Sequence, residues 1–447
     1  MNRTDYTERL LELLNRGDYR QLRAELIELN EVDIALFIEE VPEDRALAVF
    51  RMLPKDMGAE VFSHLSGDAQ SELARAFSDK DINEMLELLF IDDAVDFLEE
   101  MPANVVKRVL QQTEPERRSL INHYLQYPED SAGSIMTAEF IDLKQRTTVG
   151  EAIHRLRTKG QDRETIYTCY VTNQSRVLEG VISVKNLLLA KDEEKVGDLM
   201  EDDIISVHTA SDQEEVARLF SKYDLLSMPV VDNEGRLVGI VTIDDVIDVI
   251  EEEATEDFEK MAAMSPSEKP YLKTSVFEHS RKRVLWLLIL MVSGMLNGYI
   301  IESYEQALVT IPTLITFMPM LMDTGGNAGS QSSTMIIRGM ALHEIRLKDS
   351  LKVLWKELGI SLIVGAIIAV VNLGRIYYFT DAGFAVAAVV SFSLLVTIMM
   401  AKVIGGLLPI LAKALHLDPA IMAAPLITTL VDAGALFIYF HIATLVL

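Results

Sequence analysis

The strongest constraint on this chain is a change of solvent partway along it. Beyond Arg283 the sequence becomes a succession of long apolar runs, 284–301, 307–337, 358–373, 383–401 and 420–446. A helix of roughly 20 apolar residues crosses a bilayer core, so five spans fit, the second and fifth interrupted by polar groups. A chain carrying them cannot close into one soluble core. Residues 281–447 are therefore expected to be an α-helical polytopic membrane domain.

Basic residues set its orientation. Arg281, Lys282 and Arg283 precede the first span, Arg338, Arg346, Lys348, Lys352 and Lys356 lie between the second and third, and Lys413 follows the fourth. Such flanks stay in the cytoplasm. The opposite connections carry Glu302, Glu305, Arg375 and Asp381. The N-terminal part is thus expected inside and the C-terminus outside, in a multi-pass inner (plasma) membrane protein.

Charge divides at the same place. Through residue 275 there are 30 Lys/Arg against 58 Asp/Glu, and from 276 onward 11 against 10, which makes −28 and +1 of the net −27. So acidic a soluble part repels nucleic acid and anionic lipid and favours cations or basic partners. The opening MNRTDYTERLLELLNRGDYR has no basic start followed by an apolar core, so it is not expected to be a secretion signal. Cys169, the single cysteine, sits in the apolar run 166–171 and reads as a small core residue.

Three ionisable residues fall within the spans: Asp323, Lys402 and Asp432. A charge at the bilayer centre costs about 2.5–3.5 kcal/mol on insertion scales, so such groups face a polar interior or mark an ion path. Asp432 is the strongest candidate, in PLITTLVDAGALFIYF, with Thr428 four residues earlier on the same helix face. Asp323 lies in PMLMDTGGNAGSQSST, where Pro312, Pro319, Gly325 and Gly326 predict a broken or kinked helix lining the path. Lys402 is expected to snorkel or to pair with a carboxylate. Mg²⁺ is commonly held through one or two carboxylates while it keeps several waters, which a lone Asp doubled on a two-fold axis would satisfy. No Cys, His or Met cluster near Asp432 favours a softer metal, His441 being more than two turns away.

The acidic part has two grammars. Up to residue 130, short amphipathic helices end at prolines, in ALFIEEVP, AVFRMLP and AVDFLEEMP, which reads as an all-α superhelical N domain. Asp92, Asp96 and Glu99 there recur at three- and four-residue spacing. From residue 131 to 250 an α/β unit of helix, strand, strand and helix occurs twice, at about 131–195 and 196–250. These units resemble a tandem pair of cystathionine-β-synthase (CBS) domains. Within that family Thr242 and Asp245 match positions that hold the ribose of an adenine nucleotide such as ATP; the alternative is that they cap a helix.

Residues 251–280 are expected to be an acidic connecting helix and linker. DDVIDVIEEEATEDFE, at 244–259, holds nine carboxylates and no Lys or Arg. Asp245, Asp248, Glu252, Glu256 and Glu259 would form one stripe, where each like-charge neighbour costs about 0.2–0.5 kcal/mol. Bound cations would relieve that repulsion.

The segments RKRVLWLL, GGNAGSQSSTMIIRGMALHEI and LLPILAKALHLDPAIMAAPLITTLVDA resemble the signatures of the MgtE family of Mg²⁺ channels, and the chain order fits it throughout. The resemblance implies a homodimer in the lipid bilayer with its pore between subunits and Asp432 of each holding hydrated Mg²⁺. It also implies closure by intracellular Mg²⁺. The matching regulatory positions are Glu60, Asp92 and Asp96, then Glu214, Asp224, Asp245 and Asp248, then Glu253, Glu256 and Asp257, with Asp418 at the cytoplasmic end of the fifth span. No GxxxxGK[ST] loop is present, so an ATPase, and enzymatic activity generally, is not expected. A secondary exchanger coupled to Na⁺ or H⁺ through Lys402 or Asp323, and a non-conducting sensor, are the rival readings.

Overall fold

The computed structural model describes residues 3–99, 101–267, 271–272, 274–422 and 424–447. They form two compact units, Met1–Ile250 and Glu251–Leu447.

In the first unit, ten short helices follow one another between Arg3 and Tyr124 among the described residues. Pro42, Pro54 and Pro102 stand at the N-caps of helices Glu43–Phe50, Lys55–Ser63 and Ala103–Gln112. Proline lacks an N–H and disfavours helix in the residue before it, so each ends one helix and admits the next. The helices close on Phe50, Phe62 and Phe97, with the Phe62 and Phe97 rings edge to face at 4.9 Å.

The repeated α/β grammar becomes two sheets of equal topology. β1 (Asp142–Leu143) runs parallel to β2 (Thr168–Thr172), which pairs antiparallel with β3 (Leu178–Ser183). β4 (Val207–His208), β5 (Ser227–Val231) and β6 (Leu237–Thr242) repeat the arrangement. The two sheets meet through Tyr170, whose hydroxyl lies 2.7 Å from Ser227 Oγ above buried Leu237 and Ile240. Cys169 is wholly buried, as expected. The acidic segment is one helix, Ile243–Met261.

The second unit contains five long helices: α1 (Val276–Ser303), α2 (Met318–Ala341), α3 (Ser350–Phe379), α4 (Gly383–Ala414) and α5 (Ala424–Val446). Four of the five expected segments are long and apolar enough to cross a bilayer: Val276–Ser303, Leu347–Phe379, Gly383–Ala414 and Pro419–Val446. The remaining one, α2, has 24 residues and so reaches about 36 Å, but GGNAGSQSST lowers its hydropathy. It packs instead between α4 and α5.

The expected break in this segment is corrected. α2 is continuous through Asp323, Gly325 and Gly326, and the irregular stretch lies upstream, in the 3₁₀ turn Pro312–Phe317. Pro319 sits in the first turn, where its missing N–H is harmless. The glycines serve close approach. A Cβ on Gly325 would stand 2.8 Å from Thr397 Cγ2 and 2.9 Å from Val431 Cγ1, and one on Gly405 would stand 2.2 Å from Gly329 O. Asp323 is an interior helical residue and not a cap.

Candidate cation sites

α5 begins after a short 3₁₀ turn, Pro419–Met422, that Ser333 of α2 fixes by donating to the Met422 carbonyl at 2.9 Å. Thr428 and Asp432 then lie one turn apart. Thr428 rests against Gly326, and Val431 against Gly325 and Gly329, so the glycine face of α2 is pressed on the α5 surface around Asp432. Asp432 is half-buried, and its Oδ1 is enclosed with no hydrogen-bond partner among the described residues. Leaving a buried acceptor unsatisfied costs about 1–3 kcal/mol, and more when it is charged. Asp323 is exposed on α2, within electrostatic reach of Asp432. His441 stacks on Phe437, away from any carboxylate cluster.

Lys402 does not snorkel. It is 5 % exposed on α4, and its Nζ donates to Ser332 Oγ at 3.4 Å. Ser332 Oγ in turn donates to Glu357 Oε2 at 2.6 Å. Of the two expectations for Lys402, the structure shows the link to a carboxylate, and it passes through a hydroxyl.

At the start of this unit the Lys260 ammonium sits 2.7 Å from Glu256 and 2.7 Å from Asp418. The two carboxylates raise its pKa against the opposing effect of burial. Asp418 also accepts from the Ala420 N–H at 2.8 Å, which fixes the turn entering α5. Glu253 and Asp257 are half-buried on the same helix.

In the first unit a carboxylate cluster gathers around the helix Ile91–Glu99. Asp92 is 8 % exposed and accepts the Asp93 N–H at 3.1 Å. Burial, then the charges of Asp245, Asp93, Glu164 and Glu139, push its pKa well above the usual carboxylate range. Burial also leads for Glu164, pushed up to about 8, for Asp245, about 7, and for Asp93, about 6. Asp244 adds to all three of these groups. The Arg117 guanidinium stands 3.6 Å from Glu139. Thr242, buried at the end of β6, donates its hydroxyl to Asp245.

The remaining expected ligands lie on the surface. Glu60, Asp96 and Asp248 are exposed, as are Glu214 in the first turn of helix Gln213–Tyr223 and Asp224 at its left-handed C-cap. Among the described residues no three His, Cys, Asp or Glu side chains are arranged to hold a metal directly.

Comparison with known proteins follows the same division. A family model described as a divalent cation transporter matches residues 318–442, one described as the MgtE intracellular N domain matches 29–130, and CBS domain models match 132–193 and 196–252. The Magnesium transporter MgtE of Thermus thermophilus is 38 % identical over 442 residues, 98 % of each chain. The chain belongs to the MgtE family. The protein of the same name in Bacillus subtilis is 35 % identical over 98 % of this chain and 96 % of its own. A solved MgtE cytosolic domain in complex with ATP is 39 % identical, covers 54 % of this chain and 99 % of its own, and superposes with a TM-score of 0.52. The soluble part of another magnesium transporter gives 30 %, 57 %, 100 % and 0.53.

Within this MgtE-family chain, sequence reasoning missed Asp93, Glu139, Glu164 and Glu357. Asp93 adjoins a predicted residue, and Glu357 stands at the edge of an apolar run beside Lys356, so both left a signal. Glu139 and Glu164 lie in loops and join the cluster only through the fold: Glu164 N–H donates to Glu139 O at 3.0 Å.

Proposed function

We propose that this MgtE-family chain is a Mg²⁺ channel that mediates Mg²⁺ uptake and is closed by intracellular Mg²⁺. The observation that carries the transport reading is Asp432, an intramembrane carboxylate with an enclosed, unpartnered oxygen. Such a group is stabilised by a passing hydrated cation, and one carboxylate per chain suits an ion that keeps its waters. The relatives named as magnesium transporters support Mg²⁺ as the cargo. The membrane potential supplies about 2.3 kcal/mol per elementary charge per 100 mV, hence twice that for a divalent ion, so no coupled chemistry is required. Of the two groups through which an exchanger could couple, Lys402 and Asp323, the first is engaged through Ser332 with Glu357, which speaks against its exchanging a proton.

The working unit in this reading is a homodimer with Asp432 of each chain at a shared pore. α1 buries none of its residues within the single chain, which suits a helix that faces lipid or a second copy. The chain divides into a helical N domain (1–130), a CBS pair (131–250), the connecting segment (251–280) and the pore domain (281–447). The N-terminal domains are cytoplasmic and the C-terminus lies outside the inner membrane.

The sensor reading rests on the crowded carboxylates around Asp92 and Asp245 and on the acidic helix. Mg²⁺ at Glu60, Asp92, Asp96, Glu214, Asp224, Asp245, Asp248, Glu253, Glu256, Asp257 and Asp418 would neutralise these faces, let them pack and hold the pore shut. Thr242 and Asp245 are also where an adenine nucleotide's ribose would bind, consistent with the ATP complex of the related cytosolic domain.

Reconstituted wild-type protein is expected to take up Mg²⁺ and to give single-channel currents that shut at millimolar cytosolic Mg²⁺, while Asp248→Asn, Glu253→Gln and Glu256→Gln together keep them open. Uptake without currents, dependent on a Na⁺ or H⁺ gradient, would replace the channel by an exchanger.

A further inference from the structure

The membrane domain buries a second carboxylate that the ion path does not use. Glu357 of α3 is 8 % exposed, Ser332 of α2 is 3 % and Lys402 of α4 is 5 %. The ammonium donates to the hydroxyl at 3.4 Å and the hydroxyl donates to the carboxylate at 2.6 Å, so three helices are joined by one relay. Both ionisable groups are buried, and the Ser332 hydroxyl links them. The surrounding backbone is shaped to admit them. Gly406 leaves the space that the Glu357 side chain crosses, since a Cβ there would stand 3.0 Å from Glu357 Cγ. Gly405, its neighbour, brings α4 against the Gly329 carbonyl of α2, one turn before Ser332.

We propose that Lys402, Ser332 and Glu357 form an internally neutral clamp that ties α2 to α4 and, through the Ser332 hydroxyl, to α3, and that Lys402 is thereby a positioning residue for ion passage at Asp432. The link to Asp432 is α2 itself. Below the clamp its Gly325, Gly326 and Gly329 abut Val431, Thr428 and Ile427, the α5 residues flanking the carboxylate. A clamp of this kind has a distinctive response to substitution. Removing one charge leaves the other buried and uncompensated, whereas removing both restores neutrality at nearly unchanged volume. A pair that merely fills space would lose function additively.

The inference rests on the transport reading of Asp432, and the test separates the two. Full-length wild type, Lys402→Met, Glu357→Gln and the double variant are reconstituted, and Mg²⁺ entry is followed with an internal Mg²⁺-sensitive dye, normalised to monodisperse protein. Thermal unfolding in detergent is recorded for the same four proteins. Each single variant is expected to lower the maximal uptake rate by at least about tenfold with the half-saturating Mg²⁺ concentration unchanged, because the ion site is intact, and the double variant is expected to recover to within about threefold of wild type. Unfolding temperatures should follow the same non-additive order, which decides the matter even if a single variant reconstitutes poorly. Single variants that match wild type, or a double variant that loses as much as both singles combined, would overturn the clamp. Wild type that takes up no Mg²⁺ would overturn the transport reading, while the unfolding series would still decide the clamp.

Discussion

Glu164→Gln is predicted to make the first unit less sensitive to both pH and divalent cations. Burial, then the charges of Asp245, Asp244, Asp93 and Glu139, raises the Glu164 carboxyl from 4.5 to about 8. In an opened chain it ionises near its ordinary value, while in the closed fold it keeps its proton up to about pH 8. The folded state therefore holds more protons than the opened one between these limits, and stability falls as pH rises through them. One pH unit corresponds to about 1.4 kcal/mol, so the step from pH 5.5 to 7.5 costs about 3 kcal/mol through Glu164 alone. Asp245 and Asp93, raised to about 7 and about 6, act in the same direction over the lower part of that window. In the sensor reading proposed above, a divalent cation would compensate the ionised carboxylates and so weaken the dependence.

The measurement is hydrogen exchange on the full-length protein in detergent and EDTA, following peptides over 91–99, 160–167 and 242–250 with intrinsic rates corrected for pH. Wild type should lose at least about 3 kcal/mol of opening free energy between pH 5.5 and 7.5, since Asp245 and Asp93 add to Glu164. The Gln variant should lose clearly less than wild type, keeping only the share of Asp245 and Asp93, and saturating Mg²⁺ should restore protection at pH 7.5 in wild type. Protection that stays level across this range in wild type, or that ignores Mg²⁺ at pH 7.5, would refute the electrostatic account of the cluster.

Asp432→Asn should reduce Mg²⁺ uptake in proteoliposomes by at least about tenfold, a barrier increase of about 1.4 kcal/mol or more, without altering the elution volume of the purified protein. Lys260→Met frees Glu256 and Asp418 from an ammonium that, in the sensor reading, would compete with divalent cations, so the cytosolic Mg²⁺ needed for half-closure should fall by about fivefold, the worth of two partly exposed ion pairs; patch recordings check it. Gly405→Ala sets a methyl where the Gly329 carbonyl stands and should destabilise the membrane domain by about 1–3 kcal/mol, read as a lower unfolding temperature in detergent. Cys169, wholly buried and with its thiol pushed up to about 12, should resist alkylation at pH 7.5 until the protein is denatured.

Elements governed by local rules were legible in the sequence. Prolines 42, 54 and 102 announce helix boundaries because the constraint acts on adjacent residues, and the doubled α/β grammar returns as two sheets with the same pairing. The segment around Asp323 misled for the converse reason. Glycine is a poor helix former in isolation, but Gly325, Gly326 and Gly329 are placed where two neighbouring helices demand a surface without side chains, and that demand is invisible along one chain. Glu139 and Glu164 escaped similarly. Each is an ordinary loop carboxylate until the fold brings it beside Asp92 and Asp245, and burial among like charges is a property of the assembled unit.

Two carboxylates in the membrane domain, Glu357 buried and Asp432 half-buried, now carry different meanings, and the difference is one of compensation. Glu357 has a hydroxyl at 2.6 Å and, beyond it, an ammonium of this chain, so its charge is settled within the protein. Asp432 has an enclosed oxygen with no partner, beside the glycine-paved face of α2. In a low-dielectric interior an uncompensated carboxylate is costly, and one that already has a counter-charge gains little from a second. Under the transport reading proposed above, a cation moving through the membrane domain would therefore be stabilised at the half-buried Asp432 and not at the buried Glu357.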